Sequence, residues 1–80
     1  MAERTYLFAF FRGEATPRFT RELGCSTDDL AIEEGRSFLA QQRMLPDPAT
    51  AVAVGRRSGE TTDWLGRWEA RAREVVWTPV

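Results

Sequence analysis

Seven consecutive residues near the start of the chain, Thr5 to Phe11 (TYLFAFF), constrain its fold more than any other stretch. They read as extended backbone, and strand alternation puts Tyr6, Phe8 and Phe10 on one face with Leu7, Ala9 and Phe11 on the other. A strand apolar on both faces belongs in the middle of a sheet. One helix covers only one side of it. The other side is then buried by a second copy of the chain, left exposed for a partner, or covered by the long C-terminal segment folding over Phe10 and Phe11.

The segments that follow supply neighbours for this strand. Gly13 to Pro17 (GEATP) has turn chemistry, and Arg18 to Leu23 alternates Phe19 and Leu23 against Thr20 and Glu22, the pattern of a half-buried second strand in a hairpin. Ser26-Thr27-Asp28-Asp29 then offers a capping hydroxyl and acids for a helix N-terminus. Leu30, Ala31, Glu34, Phe38, Gln42 and Leu45 continue at helical spacing, so a helix is expected from about Thr27 to Arg43. Gly35 lies inside that helix at a cost of about 1 kcal/mol relative to alanine, which close packing of helix on sheet explains. Pro46 and Pro48 forbid continuation. Thr50 to Val54 (TAVAV) is a third strand, and Ser58 to Asp63 (SGETTD) a loop joining hairpin strands.

Residues 64 to 77 (WLGRWEARAREVVW) carry two periods at once. A helix would align Trp64, Trp68, Ala72, Val75 and Val76 and pair Glu69 with Arg73. A strand would place Trp64, Gly66, Trp68, Ala70 and Ala72 on the face toward the helix, sending Leu65, Arg67, Glu69, Arg71 and Arg73 to the other. Gly66, the β-rich ending VVW and the need of the preceding strand for a partner favour the strand. Alternation slips by one residue at Glu74-Val75, as a β-bulge or bend would cause. Val75 to Thr78 continues as sheet, and Pro79 closes an edge, where a missing N–H is harmless. The expected fold is α+β: a single domain spanning residues 1 to 80, with an antiparallel sheet of four to five strands and one amphipathic helix on one face, in the order ββαββ, the last strand divisible in two. This arrangement is common among small bacterial α+β domains, and fold alone does not give function.

Composition removes several function classes. The chain has no histidine and one cysteine, Cys25, which argues against zinc sites built on nitrogen and sulfur and against nucleophile–histidine triads. The single cysteine forbids an internal disulfide, so a reducing, cytoplasmic setting is expected. The N-terminal apolar run is too short for a signal h-region or a membrane span. No glycine-rich phosphate loop is present, and no cofactor or metal is expected. All 11 basic residues are arginine, balanced by 12 acids to a net charge of −1. GC-rich coding accounts for the arginine bias, and the balance leaves no global field for nucleic acid or membrane.

Three clusters remain to be weighed. Asp28, Asp29, Glu33 and Glu34 crowd the helix start, where acids complement the helix dipole. Cys25 precedes the cap, a position that can activate a thiol, although a lone cysteine beside Gly24 reads as packing. The third is the face opposite the helix, with Arg67, Arg71 and Arg73 joined by Trp77 and, more weakly, by Arg56 and Phe10. Guanidinium groups with aromatics serve protein interfaces, and Glu69, Glu22 and Glu60 weaken a phosphate-binding alternative more than a protein-binding one. The expectation is a non-enzymatic interaction or regulatory module acting through a sheet face or edge on a protein partner or on itself. Alternatives are a nucleic-acid-binding domain using the same arginines, and a small mobile-element inhibitor whose acidic helix imitates a phosphate row.

Overall fold

A computed structural model describes residues 3–80. Its elements run β1 (Arg4–Phe11), β2 (Phe19–Cys25), α1 (Asp28–Gln42), β3 (Ala51–Ser58), β4 (Thr61–Ala70) and β5 (Val75–Pro79). The strands form one antiparallel sheet in the order β2-β1-β3-β4-β5, with the helix against it. The two-faced apolar strand β1 therefore lies inside the sheet, hydrogen-bonded to β2 on one side and β3 on the other.

The core lies between the helix and one sheet face. Tyr6, Phe8 and Phe10 of β1 point toward α1 with Val52 and Val54 of β3 and Trp68 of β4, and Ala31, Phe38 and Leu39 of the helix meet them. Phe38 stands edge-on to Phe8 with centroids 5.0 Å apart, a favoured aromatic geometry. Gly35 faces the sheet, and a Cβ there would lie 2.7 Å from Val54 Cγ2 and 3.3 Å from Trp68 Cδ1. The missing side chain is what brings the helix close enough for Trp68 Nε1 to donate to the Ile32 carbonyl at 2.7 Å. Leu30, expected on the buried stripe, is exposed, as is Leu45 beyond the helix end.

Two ties hold the helix ends. Thr27 caps the N-terminus by accepting from Leu30 N–H at 3.2 Å, the hydroxyl role expected in this stretch but one residue beyond a cap directly after Cys25. In the next position Asp28 accepts from the Tyr6 hydroxyl and from Arg56 Nη1 at 3.1 Å, which bonds the first helical turn to β1 and β3. At the other end Asp47 pairs with Arg12 (2.8 Å) and Arg18 (2.6 Å), so both sides of the β1–β2 connection clasp the segment entering β3. The hydrogen bond from Arg18, reinforced by the charges of Arg12 and Arg18, holds the Asp47 carboxyl below its ordinary range.

Residues 64 to 70 and 75 to 77 are extended, but as two strands and not as one strand with one bulge. The loop expected over Ser58–Asp63 shrinks to a two-residue turn, because Ser58 already pairs with Thr61 and Gly59 takes φ +63°, the positive φ that tight hairpins demand of their first turn residue. The slip in alternation at Glu74-Val75 marks a chain reversal: Arg71 and Glu74 exchange backbone hydrogen bonds around Ala72-Arg73, and β5 returns beside β4. The bulge lies elsewhere. Val54 pairs with Gly66 while Gly55 pairs with Trp64, so Leu65 is the extra residue in β4. Leu65 packs against the core, and Trp64 leaves the helix side for the other face.

Candidate interaction face

Register decides which side chains share the face away from the helix. Leu7, Ala9 and Phe11 of β1 line up with Ala51, Ala53 and Gly55 of β3, then with Trp64, Arg67 and Glu69 of β4, and with Val76 and Thr78 of β5. Among the described residues no helix or loop lies over this face, yet Ala9, Ala51 and Gly55 are buried. Long side chains from neighbouring strands lie across them. Arg67 reaches from β4 over the alanines of β3 until its guanidinium sits 5.2 Å from the Phe11 ring centroid, within cation–π range. Arg57 reaches from β3 across β1 to Glu22 of β2 at 3.4 Å. Trp64 lies over Gly55, where a Cβ would stand 2.8 Å from its Cε3 atom and would also strike the Thr62 methyl.

The small residues of β3 thus form a trough, and Trp64 and Arg67 lie down into it. Between them an apolar depression of about 390 Å³ opens, floored by Ala53 and Gly66 and closed at its end by Pro79 and Val80. Trp64 remains 42% exposed, the only tryptophan that exposed. A second cleft, of about 260 Å³, lies on the helix side between β2 and the end of the helix, where Phe10, Phe19 and Phe38 meet Arg21. Arg21 rests on the Phe38 ring at 5.1 Å.

The six residues singled out from sequence are not brought together. Arg67 alone lies on the open face. Arg71 and Arg73 fall in the β4–β5 turn, off the sheet, so the expected arginine row ends after one member. Trp77 is on the helix side, its ring 5.2 Å from that of Trp68. Arg56 is also on the helix side, engaged with Asp28 and at 3.8 Å from Asp63. Phe10 is 2% exposed and stacked on Phe19 at 4.3 Å, so it has no surface to give a partner. Of the C-terminal coverage anticipated for Phe10 and Phe11, only the Arg67 side chain over Phe11 is present.

Trp64 and Glu69 are the residues that sequence reasoning passed over. Clean alternation through Leu65 put Trp64 in the core; the available signal was Gly66, since a glycine within a strand often marks a bulge. The other clusters acquire plain roles. Asp28 is bonded to Tyr6 and Arg56. The Cys25 thiol is buried, and burial, followed by the charges of Glu34 and Glu3, pushes its pKa up, the opposite of what an activated nucleophile needs. Among the described residues no helix is long and apolar enough to cross a membrane. No protein-family model, curated protein or solved structure matches the chain.

Proposed function

We propose that this chain is a non-enzymatic protein-binding module whose working surface is the open sheet face centred on Trp64 and Arg67. The observation that carries the reading is a half-exposed indole beside an apolar depression, with a guanidinium held over small residues by a phenyl ring. Tryptophan and arginine are the residue types that dominate binding energy at protein interfaces, most strongly where an apolar pocket surrounds them. Flat placement also limits the ordering entropy lost on docking. A phosphate-binding use of the same face is disfavoured by its charges, because Glu22 neutralises Arg57 and Glu69 accompanies Arg67.

The test is site-specific photo-crosslinking. A photoreactive residue at position 64 is expected to yield a discrete protein adduct that disappears when Arg67 is replaced by alanine. The same probe at Glu33, on the exposed side of the helix, serves as the control. Equal, diffuse labelling from both positions would remove the face from consideration.

A further inference from the structure

We infer that the occupant of the open face is a second copy of this chain, docked face to face about a two-fold axis that crosses β4 between Arg67 and Glu69. The inference rests on the reading of that face as a protein-binding surface and supplies the identity of the partner.

Charge is the first argument. Arg67 and Glu69 stand on the same face of one strand, two residues and therefore about 7 Å apart. Among the described residues neither makes an ion pair. A two-fold axis between them sets each Arg67 against the Glu69 of the second copy, so one rotation satisfies both charges twice. Self-complementarity of this kind is what an isologous interface requires. The remaining charged pair on the face, Arg57 with Glu22, is already neutral, so two copies approach without net repulsion.

Area is the second argument. Five strands at about 4.8 Å spacing and roughly seven residues at about 3.3 Å each give ~550 Å² of flat face per copy. An axis between Arg67 and Glu69 lies near the Ala70 end of β4, so about half of that face is opposed in each copy, and the ~600 Å² buried in all is the size of a weak, concentration-dependent interface. The partner needs to be no larger than this chain, whose longest dimension is 37 Å. The patch around the axis is suited to burial, with Phe11, Ala53, Val76 and Trp64 surrounding the charged pair.

The sheet edges are the third. A fully overlapped two-fold pairing of β2 with itself centres on Glu22 and sets one Glu22 against the other. At the other edge β5 has five residues and ends in Pro79, and both shortness and proline blunt an edge. Edge-to-edge growth is therefore opposed at both ends of the sheet.

Sedimentation and light scattering from micromolar to millimolar concentration test the inference. The wild type is expected to pass from monomer to dimer. Arg67→Glu alone and Glu69→Arg alone are each expected to weaken the dimer by about tenfold or more, since each creates two like-charge pairs. The double variant R67E/E69R restores self-association, and an equimolar mixture of the two single variants forms a heterodimer. Circular dichroism checks that each variant is folded. A wild type that stays monomeric at millimolar concentration overturns the second-copy assignment, and it leaves the face as a binding surface if position 64 still crosslinks to another protein. A dimer indifferent to both charge reversals and to Trp64→Arg overturns the assignment and the binding-face reading together.

Discussion

The two faces of this sheet reach burial by different routes. On the helix side, large residues are removed from water by a second layer: Tyr6, Phe8, Phe10, Val52 and Val54 are all 2% exposed or less beneath α1. On the open side the residues are small, and Ala9, Ala51 and Gly55 are buried because Arg67 and Trp64 lie over them. Layered burial is fixed, since displacing the helix exposes the whole core at once. Burial by side chains lying flat is local, and a partner can lift or sandwich them without disturbing the fold. A face of the second kind keeps an apolar floor covered in the free molecule and available in a complex.

The sharpest way to break this distinction is to truncate neighbours on the same strand. Phe8 is fully buried against Phe38, whereas Leu7, one residue earlier, points to the open side and is half-buried. Phe8→Ala is expected to lose about 3–5 kcal/mol of stability in denaturant unfolding, through the lost ring and the cavity left behind. Leu7→Ala should lose less, about 1–2 kcal/mol, because part of its surface stays in water and no enclosed cavity is left behind. In so small a domain the first change threatens folding outright. Equal losses would mean that the two faces are alike.

A second contrast comes from two glycines. At Gly35 a methyl group meets Val54 and Trp68, both buried, so the helix itself must retreat. At Gly55 it meets Trp64, whose exposed indole is free to swing outward, and the Thr62 methyl, which must turn to another rotamer. Gly35→Ala is therefore expected to lose about 1–2 kcal/mol net, overpacking outweighing the gain of about 1 kcal/mol in helix propensity. Gly55→Ala should lose less than about 1 kcal/mol, and it should change the fluorescence of Trp64. A Gly35→Ala variant more stable than wild type would show that the helix has slack against the sheet.

These contrasts also separate what was legible in the sequence from what was not. The internal position of TYLFAFF, a capping hydroxyl within Ser26-Thr27, the close approach at Gly35 and strand in place of helix from residue 64 to 70 all follow from local pattern and hold in the structure. The open face does not follow, because it depends on a single inserted residue. Leu65 turns inward to join the core and exchanges faces with Trp64, a choice made by packing across two strands that alternation within one strand cannot encode. The arginine row failed for a related reason. ARARE continues the strand period, yet backbone pairing of Arg71 with Glu74 folds it into a turn, without glycine or asparagine to announce it.

The Tyr6 hydroxyl sharpens the comparison on the covered face, where a polar group is withdrawn from water along with the apolar ones. Tyr6 is 0% exposed, and its hydroxyl donates to Asp28. Burial raises its pKa above the ordinary 10.0, and the hydrogen bond to Asp28 and the negative charge of Asp28 raise it further, while Arg4 and Arg56 pull the other way. A phenol whose folded pKa lies above its unfolded value contributes stability that is fully present below the unfolded value. That contribution is lost as pH rises through the folded one. Tyr6 is the only tyrosine, so phenolate absorbance reports on it alone. Its titration midpoint should lie above 10.0 and coincide with loss of helix signal, because ionisation puts a buried anion beside Asp28. Tyr6→Phe should lose about 1–2 kcal/mol at neutral pH, since Asp28 keeps Arg56 as a partner, and should abolish the alkaline dependence. A midpoint at or below the ordinary value, or a phenylalanine variant that still unfolds in alkali as the wild type does, would mean that the Tyr6 hydroxyl has no part in holding the helix to the covered face.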